Sequence, residues 1–90
     1  MRISLETQHI KAEAARRIDE IAPLWRQQND NALMLRLAGS PPDRWSDADR
    51  LAHDAAAARR AAIDRIRAAS NRLEQLDPIP LDYRADKHWT

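Results

Sequence analysis

Apolar residues recur at alternating intervals of four and three along the first half of this chain: Ala14, Ile18, Ile21, Trp25, then Ala32 and Leu35, with Gln28 as the one polar member. That spacing marks a helix packed lengthwise on another helix. Ile10 extends the stripe backwards by one turn. A second stripe follows: Ala48, Ala52, Ala55, Ala62, Ile66, Ala69, Leu73 and Leu76, with Ile63 beside it. Between them lies the punctuation Ala38-Gly39-Ser40-Pro41-Pro42. Gly39 suits the left-handed position that ends many helices, and two prolines bar continuation. The pattern predicts an all-α fold: a long antiparallel two-helix hairpin in a single domain of residues 1–90.

The predicted bounds are helix one at 5–37, a loop at 38–46, helix two at 47–76 and an extended, proline-containing tail at 77–90. Ser4 and Ser46 stand where a hydroxyl can cap the first free N–H groups of each helix. Asp47 and Asp49 favour the positive end of helix two. Pro23 interrupts helix one. It either kinks one long helix or sits in the first turn of a second. Continuity of the apolar stripe across Pro23 favours the kink. Composition agrees with helix. The chain has 17 alanines, 13 arginines, no valine, no phenylalanine and one glycine, which disfavours sheet.

Antiparallel pairing about the loop sets Leu35 near Ala48, Trp25 near Ala58 and Ile10 near Leu73. The expected packing seam is therefore Ile10, Ile18, Ile21, Trp25, Leu35, Ile66, Leu73 and Leu76. Large residues face small ones along much of it. Two helices of about 30 residues span roughly 45 Å and enclose no core. A second copy or another protein is expected to cover the open face.

Ninety residues with no cysteine bar disulfides and thiolate metal sites. No apolar run approaches the roughly 18 residues that cross a bilayer. Met1–Glu6 has no apolar core of a signal peptide. These features lead to an expectation of a cytoplasmic protein without a membrane. Charged residues make up 32% of the chain at a net charge of +1. The signs are interspersed, as on a solvated helix surface, so nucleic acid is not an expected partner.

Candidate chemistry is sparse. His9 and Glu13 share a helix face but lack a third metal ligand. His53 sits beside the second stripe among acidic neighbours and reads as solvent-facing. Asp43, Asp47, Asp49 and Asp54 lack calcium-loop order, and capping accounts for them. There is no phosphate loop, no nucleophile elbow and no pocketed carboxylate pair. No catalytic residue, cofactor or metal is expected. Arg65, Arg67 and Arg72 make helix two basic and are candidate partner contacts. Trp45, just before the cap of helix two, can staple the loop to the hairpin. Tyr83 and Trp89 lie in the tail, where Pro78 and Pro80 stiffen the chain. Aromatics at such a place fold back or anchor a partner, and both are carried as partner-binding candidates.

The run Ala15-Arg16-Arg17-Ile18-Asp19-Glu20-Ile21-Ala22-Pro23-Leu24-Trp25-Arg26-Gln27-Gln28-Asn29 resembles a segment of small proteins encoded among phage and prophage tail genes. Those proteins also carry a helix similar to Ile63-Asp64-Arg65-Ile66-Arg67-Ala68-Ala69-Ser70-Asn71, then an acidic, proline-containing tail ending in tryptophan. The C-terminal regions of some tail-fibre assembly proteins have a comparable layout. The resemblance spans Ala12 to Trp89, interrupted at the loop. It implies a non-catalytic protein–protein interaction role in a phage or prophage tail, as assembly factor or structural component, with a tail or tail-fibre protein as partner. The product would form a homo-oligomer or hetero-complex, in the host cytoplasm or the virion tail. The chain departs from the pattern in having no fibre-like N-terminal part, so a stand-alone adaptor fits equally. The alternative is a small dimeric regulatory or nucleic-acid-binding protein, such as an antitoxin or a phage inhibitor of a host system.

Overall fold

The computed structural model describes residues 4–90. Met1–Ile3, part of the segment read as lacking a signal peptide, lie outside the described residues. Three helices carry the fold: α1 Leu5–Ile21, α2 Leu24–Leu37 and α3 Asp47–Glu74. There is no strand among the described residues. Short 3-10 turns occupy Pro42–Arg44 and Asp86–His88. The helices α1 and α2 lie end to end along α3, so the fold is a helical hairpin with one arm in two pieces. Its extents are 51 × 27 × 19 Å, one long axis with little depth.

The caps form as the sequence predicts. Thr7 N–H donates to Ser4 Oγ, and Asp49 N–H donates to Ser46 Oγ. The loop is stapled as well. The Trp45 indole N–H is shared between the Leu37 and Ser40 carbonyls at 3.2 and 3.1 Å. Its ring rests on His53, centroids 4.7 Å apart, so His53 is half-buried rather than solvent-facing.

The expected kink at Pro23 is a full break. A residue before proline is pushed out of the helical region by the pyrrolidine ring. Ala22 accordingly adopts φ −155°, ψ 104°, and Pro23 follows at ψ 162°. Pro23 then serves as the N-cap of α2, its carbonyl accepting from Arg26 and Gln27 N–H. The Gln27 side chain donates back to the Ala22 carbonyl.

Two residues out of the helix reset the phase of everything that follows. The inward face of α2 is Arg26, Gln27, Asp30, Leu33, Met34 and Leu37. Extrapolating the stripe across Pro23 instead gives Trp25, Gln28, Ala32 and Leu35. The offset is about two residues, roughly 200° around the helix. Trp25 and Leu35 are therefore not in the seam; they are 56% and 80% exposed. Leu76 is also outside it, because α3 ends at Glu74 and the chain turns away.

The rest of the seam holds. Ile10, Ile66 and Leu73 are buried, with Ala14, Ala69 and Trp89, and Ile18 and Ile21 pack against them. Gly39 does not take a left-handed conformation. The end of α2 tightens instead, Gly39 N–H donating to Arg36 O and Ser40 N–H to Leu37 O, before Pro41 stops it.

The tail is not extended away from the body. Ile79 and Tyr83 pack on the α1–α3 core, and Trp89 completes it at 3% exposure. A two-helix layer needs a third element to close a core, and here the chain supplies it at one end only.

Candidate interaction surface

Trp89 is held on every side. Its indole N–H donates to the Tyr83 carbonyl at 2.7 Å, and the Arg17 guanidinium lies 5.1 Å from its ring centroid. Arg17 also donates to the Arg84 carbonyl and pairs with Asp86, at 2.7 and 2.9 Å. Arg72 reaches the His88 carbonyl. Trp89 thus acts as a core residue, and its reading as a partner anchor is corrected. An apolar ring with one N–H donor gains most where both are satisfied at once. Tyr83 is half-buried under Arg84 and belongs mainly to the same closure.

Two carboxylates anchor α1 and the tail. Glu13 is 6% exposed and accepts hydrogen bonds from Arg16 at 2.7–3.1 Å. The Arg16 guanidinium holds the Glu13 carboxyl below its ordinary value, and burial works against it. Asp82, bonded to His88 and paired with Lys87, is likewise lowered, the His88 contact first.

At the α2 end the corresponding links are ionic. Arg59 Nε and Nη2 both donate to the Asp30 carboxylate at 2.7 Å, a bidentate pair between α3 and α2. That bond lowers the Asp30 carboxyl against the cost of burial. Arg36 Nη2 lies 2.9 Å from Asp49 Oδ1 and lowers it in the same way. Arg60 donates to Asn31. An open groove of about 200 Å³ runs between α2 and α3 over Met34 and Ile63. Every carboxylate shift resolved is downward, towards permanent ionisation in an ion pair. That is the reverse of what a general acid needs.

The candidate basic contacts fare unevenly. Arg65 and Arg67 are exposed on α3, Arg67 within 3.8 Å of Asp64. Arg72 is tied to the tail as described. Arg59 and Arg60 face α2. The basic residues of α3 are thus divided between internal links and solvent and form no single strip. Among the described residues no cluster of three His, Cys, Asp or Glu side chains could hold a metal. No described helix is long and apolar enough to cross a membrane.

The surface that stands out was placed in the interior by the sequence reading. The outward face of α2 carries Leu24, Trp25, Ala32 and Leu35, joined by the amides of Gln28, Asn29 and Asn31. None of these exposed positions is charged. By contrast, the exposed positions of α3 include Arg50, Asp54, Asp64, Arg65 and Arg67. Of the charged residues of α2, Asp30 pairs with Arg59, the exposed Arg36 pairs with Asp49, and the Arg26 guanidinium lies over the exposed Trp25 ring, 4.6 Å from its centroid. Exposed apolar side chains are common one at a time. A helix face that gathers exposed leucines and a tryptophan under an arginine has the composition of an interface centre, where aromatics and Arg are enriched. The heptad spacing itself was the signal, once read as pointing outward.

No protein-family model, no curated protein and no solved structure matches the chain.

Proposed function

We propose that this chain is a non-catalytic protein–protein interaction module whose binding face is the outer surface of α2. The observation that carries the reading is the set of large apolar side chains exposed on α2, Leu24, Trp25 and Leu35, with the Arg26 guanidinium over the Trp25 ring. Tryptophan and arginine are among the residue types enriched at binding hot spots. The ion-paired state of Glu13, Asp30 and Asp49 supports a scaffold rather than proton-transfer chemistry. The setting we propose is the tail of a phage or prophage, with the chain as assembly factor or structural component. That part rests on the resemblance of residues 15–29 and 63–71 alone.

The test is a photo-crosslinking residue at position 25, 28 or 35, with position 65 as control, in cells that produce particles. Crosslinks confined to the α2 positions and to a tail protein or this chain itself are the expected result. Crosslinks at position 65 to nucleic acid, lost steeply with salt, would replace this reading with the regulatory alternative.

A further inference from the structure

We propose that the partner held by α2 is an acidic protein segment, which sets its carboxylates on Arg26 and Arg60 and its large apolar side chains on Leu24 and Trp25. This rests on the reading of α2 as the binding element and adds the chemistry of what it binds.

Charge complementarity selects the occupant. Arg59 grips Asp30, Arg36 pairs with Asp49, and Arg67 lies 3.8 Å from Asp64. Arg26 and Arg60 are different. Among the described residues, Arg26 has the Trp25 ring as its contact and no carboxylate within ion-pair distance. Arg60 donates to Asn31 Oδ1 at 2.8 Å, a neutral oxygen. A guanidinium met only by a ring face or an amide keeps its charge and most of its donors.

Both cations bear on one place. Arg59, which bonds it, holds the Asp30 carboxyl below its ordinary value, and Arg26 and Arg60 add to that effect. Guanidiniums from two helices thus surround a carboxylate that Arg59 already occupies on both oxygens. The surplus is positive. Beside it lies the groove of about 200 Å³ between α2 and α3, lined by Asn31, Met34, Arg60 and Ile63. Arg60 takes the Asn31 carbonyl oxygen, so the Asn31 amide keeps its N–H groups for a further acceptor.

Arg26 joins this polar site to the apolar one. Its guanidinium lies over Trp25, and Leu24 and Trp25 are 67% and 56% exposed. A purely apolar partner would cover Trp25 and desolvate Arg26 with no counter-charge, which is costly. A purely charged partner would leave Leu24 and Trp25 wet. A carboxylate next to a large apolar side chain satisfies both. Its planar pair of oxygens also matches the guanidinium fork, as Asp30 does on Arg59. A run of phosphates fits less well. It would lie against Asp30 and Asp64 and offer nothing to Leu24.

The experiment is selection of random short peptides by the immobilised full chain, with Arg26→Gln plus Arg60→Gln in parallel. The expected winners carry Asp or Glu beside Trp, Phe or Leu. A synthetic copy of the most frequent one should bind at least about 10-fold more weakly to the double variant. Its binding should also weaken as salt rises, because exposed pairs are screened. A melting curve checks that the variant folds. Asn31→Asp is the second variant. It offers Arg60 an internal carboxylate and should weaken the same peptide. Winners without an excess of acid would overturn the acidic partner. Affinity unchanged in both variants would overturn Arg26 and Arg60 as its site. A poly(dT) strand that displaces the peptide at lower concentration than the peptide itself would put nucleic acid in its place. Crosslinks from position 25 to a protein, with no acidic bias in the selection, would leave the interaction reading standing and overturn only the partner's chemistry. No crosslink and no selected peptide would overturn both.

Discussion

The two ends of the hairpin are built from the same kind of helix and finish differently. Where α1 meets α3, Ile10 and Leu73 are fully enclosed and Trp89 returns from the tail as a third layer. Where α2 meets α3, Leu37, Ala56 and Ile63 are buried, but Leu24, Trp25 and Leu35 face outward. The bidentate Arg59–Asp30 pair and the exposed Arg36–Asp49 pair bridge the helices there. Two helices in contact enclose little, because each buries only one stripe. One end closes itself with its own chain, and the other is left with a face to offer. Alanine contributes to this difference. Of Ala55–Ala58 only Ala56 is buried, and a methyl side chain adds little apolar area at about 25 cal/mol per Å².

The contrast can be broken most directly at Trp89. Trp89→Ala should remove about 3–5 kcal/mol of stability, read as a lower urea midpoint by circular dichroism. If it costs under about 0.5 kcal/mol, the tail is not a layer of the core. Leu73→Ala should cost about 2–5 kcal/mol, while Leu35→Ala, at a position of similar sequence character, should stay within about 0.5 kcal/mol in dilute solution. Equal losses would erase the distinction between the ends. Asp30→Ala leaves the partly buried Arg59 unpaired and should cost about 1–3 kcal/mol. Its effect should be separable from Leu73→Ala by faster hydrogen exchange in α2 than in α1.

The pH dependence sharpens the same comparison. The carboxyls of Glu13, Asp30, Asp49 and Asp82 are all lowered in the folded chain. Their contribution is complete above the ordinary carboxylate values near pH 4. It is lost as pH falls through the lowered folded values. The urea midpoint should therefore be flat from about pH 7 to 5 and decline below about pH 4. Asp30→Asn should flatten that decline. The smallest expected effect is at the loop. Gly39 has no positive φ, and an added Cβ would lie 3.5 Å from the Arg36 carbonyl oxygen, an ordinary contact. Gly39→Ala should stabilise by about 0.4–1 kcal/mol, seen as a small rise in melting temperature. A loss there would mean that the tightened end of α2 needs the glycine.

Much of the architecture was legible in residue order. Ser4, Ser46 and the Gly39–Pro42 break place the helix ends because capping and proline geometry are local. Ile10, Ile66 and Leu73 could be placed in the core because periodicity runs unbroken through α1 and most of α3. The candidate surface was legible only as a pattern, with its direction reversed. Heptad spacing persists across Pro23 in the sequence, but the two extended residues it imposes turn α2 by roughly half a revolution.

The sequence by itself determined the helical class, the Ser4 and Ser46 caps, the loop between the arms and most residues of the α1–α3 seam. Each of these follows from interactions within a few residues, or from a repeat that needs no knowledge of distant partners. Only the tertiary structure decided which face of α2 points outward and what becomes of Trp89. The first depends on a rotation summed across a break. The second depends on Arg17 meeting Asp86 from 69 positions away, a contact that exists only once α1, α3 and the tail are already together.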